Sequence, residues 1–451
     1  HVAAYSKWLL RMFTATSGYV LGMLFSLTAF LFGSVLGGIS PNIEFMILAR
    51  IIQGVTAGLI APISMSVIFQ LFPARKQGTV MGVASIAAII APALGPTVGG
   101  LLIDTFNWRY VYFLGVPFSL VCLPLTMLFL PDREENAVVK PFDWVGLVSL
   151  SLAITFMLVA LSSGEDEGWT SNRIISYFSI SAFAWGVFGY WQLKSQNPLL
   201  NLGIFKFRRF AIFALAAFMF GAGLYGSTYI IPLFLQLVQG MSPTDSGLVM
   251  MPAGFLMGAA FPYCGRIADQ YDPRALISWG LVLFFLSFYL MVDADANTGF
   301  WTFVFWMCLG RLGIALAAPC MNLHSVRAVP SSYTDQAAGV LSFVRQLGGA
   351  YGVNLLSVIL ERRTQFHIDA IAVTQSVDNR ETMELLGQVR EYLMAAGLSG
   401  VEQTAAAFNH LMITVYTQAT VTAFKDSFLI AGFVLLLPLI PTWMLKRESS
   451  L

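Results

Sequence analysis

The chain has 451 residues, 57% hydrophobic, 14% aromatic and 11% charged, with a formal net charge of +1 and a mean hydropathy of +0.73. A soluble domain carries about 25% charged residues, so the composition excludes one and indicates an integral membrane protein. The near-zero net charge carries no information about nucleic acid in a membrane protein, and no nucleic-acid partner is expected.

Apolar stretches of the length needed to cross a hydrocarbon core, about 20 residues, recur along nearly the whole sequence. Twelve transmembrane helices are expected, at 16–38, 43–70, 77–104, 109–130, 143–162, 174–194, 209–237, 245–264, 275–293, 300–322, 335–360 and 427–445. Before the first of them, HVAAYSKWLLRMF shows no signal peptide and resembles the remainder of an internal loop. An even number of spans puts both ends on one side. Fifteen of the 25 Lys and Arg, from Lys7 and Arg11 to Lys446 and Arg447, fall in tails and alternate short loops on that side, against Arg109 and Arg173 in the opposite short loops. Basic residues are retained in the cytoplasm, so both ends are expected there.

The third span carries APALGPTVGG, with Pro92, Gly95, Pro96, Gly99 and Gly100 in ten residues. In a soluble helix each proline would cost about 3 kcal/mol and each glycine about 1. In lipid, neighbouring helices satisfy the freed carbonyls and small residues admit a second backbone. Gly95 and Gly99, with Ala91 extending the row, are expected to form a tight helix seam.

Three basic residues lie inside spans: Arg50 about two turns in, and Arg311 and Arg345 near mid-membrane. An intramembrane charge is functional by default. All 24 Asp and Glu fall in loops or at span ends, so no acid is expected near mid-membrane to pair with these arginines or carry a proton; Glu44 and Asp245 come nearest. In the span 209–237, Phe218, Phe220, Tyr225, Tyr229 and Gln236 are candidate substrate contacts, with Tyr225 and Tyr229 four apart on one face. The connection 361–426 is the one large polar region, in which 381–397 reads as an amphipathic helix with Met383, Leu386, Val389 and Leu393 apolar. Cys122, Cys264, Cys308 and Cys320 have unrelated spacings and form no disulfide or metal pattern. No nucleophile and base, metal cluster or phosphate loop indicates an enzyme.

Displacing the chain by 257 residues pairs Pro62 with Pro319, Pro73 with Pro330, Gly82 with Gly339, Ser85 with Ser342 and Gly95 with Gly352. One ungapped offset serves three successive spans, and both copies enter from the same side. Ahead of GRIADQYDPR, 265–274, stand two complete spans; ahead of its counterpart WLLRMFTATS stand seven residues. A fourteen-span parent with the first two spans missing is therefore expected. Parallel repeats about an axis along the membrane normal bind substrate between the halves near mid-membrane.

ARIIQGVTAGLIAP, 49–62, and APALGPTVGG resemble the fourth- and fifth-span motifs of drug:proton antiporters of the major facilitator superfamily, and GRIADQYDPR its cytoplasmic loop motif. FDWVGL at 142–147, 230–252, SFVRQLGGAYG at 342–352 and RRTQFH at 362–367 resemble the fourteen-span EmrB/QacA branch. The resemblance implies an all-α membrane fold of two pseudo-repeated halves: an incomplete first half 1–130, two extra linking spans within 131–208, and a complete second half 209–451 that includes the outer loop 361–426. It implies export of hydrophobic or cationic compounds driven by the proton gradient without a cofactor. Its EmrB-like members work with a periplasmic adaptor and an outer-membrane channel, in the bacterial inner membrane. Arg50, Gln53 and Arg345 become candidates for proton coupling, with Arg311 added to the substrate cavity. Gly265, Arg266, Asp269 and Arg274 become a conformational latch in which Asp269 caps the next helix or accepts from an arginine. The branch's proton-carrying aspartate belongs to the first span, one of the two expected to be missing here. A transport-inactive remnant and an importer of small solutes remain as alternatives at this level.

Overall fold

The computed structural model describes residues 19–71, 91, 94–129, 143–268, 271–330, 333–376, 378–395 and 400–444. The helices in chain order are α1 (Tyr19–Gly38), α2 (Ile43–Leu71), α3 (94–105), α4 (Tyr110–Phe113) and α5 (Gly115–Phe129). Next come α6 (Trp144–Glu167), α7 (Asn172–Lys194), α8 (Arg208–Leu237), α9 (Pro243–Ala268) and α10 (Pro273–Met291). The last are α11 (Phe300–Arg327), α12 (Thr334–Thr374), α13 (Arg380–Ala395), α14 (Gly400–Leu436) and α15 (Leu439–Trp443). Among the described residues there is no strand, and eleven helical stretches are long and apolar enough to cross a membrane. Of the span expected at 77–104, residues 77–90, 92 and 93 lie outside the described residues.

Local chemistry starts these helices. Asn42 accepts from the Phe45 N–H, Asp143 from Gly146 and Asp272 from Arg274, each placing a side-chain oxygen on an otherwise unpaired first-turn donor. Pro243 and Pro273 occupy first helical positions, where a missing N–H leaves nothing unsatisfied. Gly168, at φ +83°, turns the chain out of α6 in a conformation other residues avoid.

The connection 361–426 departs from the expected polar loop. α12 runs on to Thr374 and α14 begins at Gly400, so most of the connection is helix. The reason is local: no Gly or Pro stands between Gly352 and Gly387 to end α12. The two helices are also tied, since Asp426 of α14 accepts from Arg363 at 2.6 Å and contacts His367 at 2.7 Å. Asp426 therefore sits within a continuous helix, not in a loop as the sequence suggested. The amphipathic segment forms as α13, burying Leu386 and exposing Met383.

The described residues fall into two compact units. One comprises the residues up to Ser149 with Val187–Leu200 and Ser242–Gly258. In it α1 packs along α2 and α5, and Asp143 is a buried hub. One carboxylate oxygen accepts from Gly146 N–H and Trp191 Nε1 at 2.8 and 2.7 Å, the other from Gln192 Nε2 and Leu199 N–H at 2.6 and 3.1 Å. Burial alone would raise this carboxyl; the four donors outweigh it and hold Asp143 below the ordinary carboxylate range.

The second unit comprises Leu150–Gly186, Asn201–Met241 and the residues from Ala259 on. Its core is aromatic: Phe234 of α8 stacks on Phe303 of α11 at 5.7 Å and meets Phe424 and Phe428 of α14 edge-on, each at 5.4 Å. Its tightest seam joins α8 to α12. A Cβ at Gly348 or Gly352 would overlap the α8 backbone at Phe218 or Ala222, and one at Gly221 would overlap the Arg345 carbonyl. Lipid tails are as apolar as side chains, so close backbone approach and dispersion, not water exclusion, hold such helices.

Two outcomes follow from these contacts. Gly348→Val and Gly352→Val should each destabilise the protein by about 1–3 kcal/mol through overpacking, read as a lower Tm in nanodiscs, whereas Gly339→Ala, with no described atom within 4 Å of the added Cβ, should not lower Tm. Asp143→Asn should lower Tm at neutral pH. Because the folded carboxyl titrates below its unfolded value near 3.9, its stabilisation is complete above that range and is lost as pH falls through it, so the Tm difference from wild type closes on acidification.

Candidate functional site

In the first unit Arg50 lies on an exposed face of α2, within the stretch Ile43–Ile60 that is long and apolar enough to cross a membrane. Its guanidinium sits over the Tyr112 ring, 4.4 Å from the centroid, and Nε donates to Tyr112 Oη at 3.0 Å. Nη1 reaches Gln53 Oε1 at 3.5 Å, and Gln53 Nε2 donates to Ser34 Oγ of α1 at 3.0 Å. The R-x-x-Q spacing puts Arg50 and Gln53 on one face of α2, beside a cavity of about 670 Å³ walled by Leu27, Phe30, Gly54, Ala57 and Phe118. Among the described residues, the partners of this charge are all neutral.

The antiporter-motif segment meets α9 in the same unit. The seam forms at Gly100, where a Cβ would overlap Pro243, and at Gly247, where it would overlap the backbone of Thr97 and Pro96. Gly95 and Gly99 do not make it, having no described atom within 4 Å of a Cβ. Pro92 lies outside the described residues. The cause is register: Thr97 and Gly100 are three apart and share the face that meets α9. Asp104, one turn further on, accepts from the Thr244 N–H at 2.8 Å and so caps α9 from another helix. Asp245 completes that terminus by exchanging hydrogen bonds with Ser242 at 2.9 and 3.1 Å.

Of the loop motif, Asp269 lies outside the described residues. The cap expected of it is made by Asp272, whose Oδ1 accepts from the Arg274 N–H at 3.0 Å. Gly265 has open space around it, Arg266 is exposed, and a nitrogen of Arg274, Nη2, is buried without a hydrogen bond.

In the second unit a cavity of about 530 Å³ is lined by Ser162 of α6, Tyr225 and Tyr229 of α8, and Gln346, Gly349, Ala350, Val353, Asn354 and Ser357 of α12. Tyr229 Oη donates to Ser357 Oγ at 3.2 Å, and Asn354 Nδ2 to the Leu158 carbonyl of α6 at 3.2 Å. Gly349 leaves room for the Tyr225 ring. Of the residues singled out in the sequence for substrate contact, Tyr225 and Tyr229 line this cavity together. Phe220 is instead fully buried, edge-on to Phe284, Gln236 is exposed at the end of α8, and Arg311 is half-buried in α11. Arg345 points elsewhere, with Nη1 donating to Asn322 Oδ1 of α11 at 2.9 Å. Sequence reasoning passed over Gln346, Asn354 and Ser357, although their spacing marks a polar stripe along one face of an apolar helix. It also passed over Ser162, Tyr112 and Asn322, for which no local signal exists.

A chain of apolar membrane-spanning helices with a small-molecule cavity and no metal-binding cluster among its described residues has the build of a multi-pass membrane transporter. Residues 8–353 match the family model of the Major Facilitator Superfamily, and the chain belongs to that superfamily. It is 29% identical to the fatty acid resistance protein FarB of Neisseria gonorrhoeae, over 92% of this chain and 81% of that protein. To the multidrug export protein EmrB of Haemophilus influenzae it is 27% identical, over 97% and 84%. To the lincomycin resistance protein LmrB of Listeria monocytogenes it is 25% identical, over 85% and 78%. Its fold is similar to that of a bacterial homologue of the human lysosomal transporter Spinster in an inward-facing, unoccupied conformation, with a TM-score of 0.57 and 13% identity over 96% of this chain and 85% of that one.

Gly247→Leu, which places a side chain against the Thr97 and Pro96 backbone, should reduce transport at least as much as Gly100→Leu. Gly95→Ala, facing open space, should leave it near wild type. Initial uptake rates into everted vesicles, normalised to the amount of protein, check the contrast.

Proposed function

We propose that this chain is a proton-coupled antiporter that exports lipophilic small molecules, drugs among them, across the bacterial inner membrane. Relatives similar over most of its length are named as multidrug export, lincomycin resistance and fatty acid resistance proteins. The observation that carries the reading is Arg50. A fixed positive charge held by the Tyr112 phenol and the Gln53 amide meets no carboxylate among the described residues. Such a charge lowers the pKa of any carboxyl brought beside it. A protonated acid swinging up to Arg50 would release its proton and one swinging away would take it up again, which is the cycle antiport requires. The energy source is the proton gradient, and no cofactor takes part.

The excess of basic residues in one set of loops supports cytoplasmic ends. Exposed apolar residues on α13 and α14, among them Tyr392, Met412 and Tyr416, are suited to a periplasmic adaptor protein, through which an outer-membrane channel would be reached. The two spans α6 and α7 would link an N-terminal and a C-terminal half.

Everted vesicles energised by an imposed proton gradient test the coupling. Arg50→Ala should abolish gradient-driven uptake of a fluorescent lipophilic compound, by about tenfold or more, while Tyr112→Phe, which keeps the ring beneath the guanidinium, retains most of it. Unchanged uptake in Arg50→Ala would remove the coupling role.

A further inference from the structure

We infer that the cavity between α6, α8 and α12 recognises an uncharged amphiphile bearing N–H or O–H donors on an apolar body, and that α6 forms one wall of the site. The inference rests on the export reading for what happens to the bound molecule, though not for its binding. A volume of about 530 Å³ suits a drug-sized ligand. The tyrosine rings, Ala350 and Val353 supply apolar walls.

The polar lining sets the ligand's charge. Among the described residues it consists of hydroxyls and amides: Ser162, Gln346, Asn354, Ser357 and the two phenols. A cation or anion entering would leave water without meeting an opposite charge, a far larger penalty than a neutral molecule incurs. The tyrosine rings offer a cation only a weak attraction in return.

One atom specifies a donor. Because Asn354 Nδ2 is committed to the Leu158 carbonyl, the orientation of its amide is fixed. Asn354 Oδ1 is then left buried with no hydrogen-bond partner among the described residues. Buried acceptors are nearly always satisfied, and a ligand N–H or O–H would satisfy this one.

The α6 wall is held in place on both sides of Ser162. Below it stands the Asn354–Leu158 hydrogen bond. Beyond it, Arg362 of α12 pairs with Glu165 and lies over the Trp169 ring, 5.1 Å from its centroid. Glu165 also accepts from Trp169 Nε1 at 3.0 Å. A helix anchored twice to α12 within three turns presents Ser162 as a fixed surface.

The test uses the full chain in lipid nanodiscs and two probes, in equilibrium dialysis. N-phenyl-1-naphthylamine is uncharged and has one N–H donor; tetraphenylphosphonium is a permanent cation with none. Wild type should bind the amine about tenfold or more tightly than the phosphonium. Ser162→Trp, which fills the cavity from α6, and Val353→Phe, which fills it from α12, should each weaken amine binding by about tenfold, whereas Ser179→Trp on the exposed face of α7 should not. Amine affinity unchanged in both filling variants would overturn the site; phosphonium bound as tightly and lost in parallel would overturn the ligand class. Export of the amine, measured alongside, separates this inference from the proposed function. An amine that binds here and is never exported counts against export alone, and export untouched by both filling variants counts against the site alone.

Discussion

The contact on which the second unit depends is the backbone approach of α8 to α12 at Gly348, Gly352 and Gly221. In a bilayer there is no water to expel from between two apolar helices, so the gain comes from packing, and it is greatest where Cβ atoms are absent. Once Phe218 and Ala222 rest on those glycines, Tyr225 and Tyr229 follow on the same helix at fixed positions. The Tyr225 ring takes the space over Gly349, and Tyr229 reaches Ser357. The cavity is thus bounded by a rigid pair of helices, and its shape follows from residues that have no side chain.

Charge is distributed by a different rule. The spans place arginines beside neutral acceptors: Arg50 with Tyr112 and Gln53, Arg345 with Asn322. The carboxylates act at helix ends and between helices as ties. Asp104 caps α9, Asp143 gathers four donors, Asp426 joins α14 to Arg363 and His367, and Glu165 joins α6 to Arg362. An ion pair in lipid would neutralise an arginine, whereas a phenol or amide orients the guanidinium and leaves its charge in force.

Much of this was legible in the sequence because it rests on periodicity and length. The spans follow from apolar runs, and the family membership from motifs spread along the chain. Tyr225 and Tyr229 share a wall because residues four apart share a helical face. What was not legible depends on partners distant in the chain. The connection 361–426 read as a polar loop because its charges suggest solvent, yet Arg362 and Arg363 are spent on Glu165 and Asp426, and the helix continues beneath them. Ser162 carries no sign that it faces α12. In the loop motif, the cap fell to Asp272, beside Pro273, because the helix starts there and not earlier.

The repeat shows why a shared motif does not bring a shared contact. By the 257-residue offset Gly95 is the counterpart of Gly352, and Pro96 of Val353. Gly352 packs against α8 at Ala222, whereas a Cβ at Gly95 would meet no described atom within 4 Å. Pro96 gives its backbone to the approach of Gly247, whereas Val353 gives its side chain to the cavity wall. A proline has no N–H to give the carbonyl one turn back; a valine donates that bond and lines the cavity with its side chain. The two copies have therefore put Pro96 and its counterpart Val353 to two uses, a seam in one unit and a cavity wall in the other.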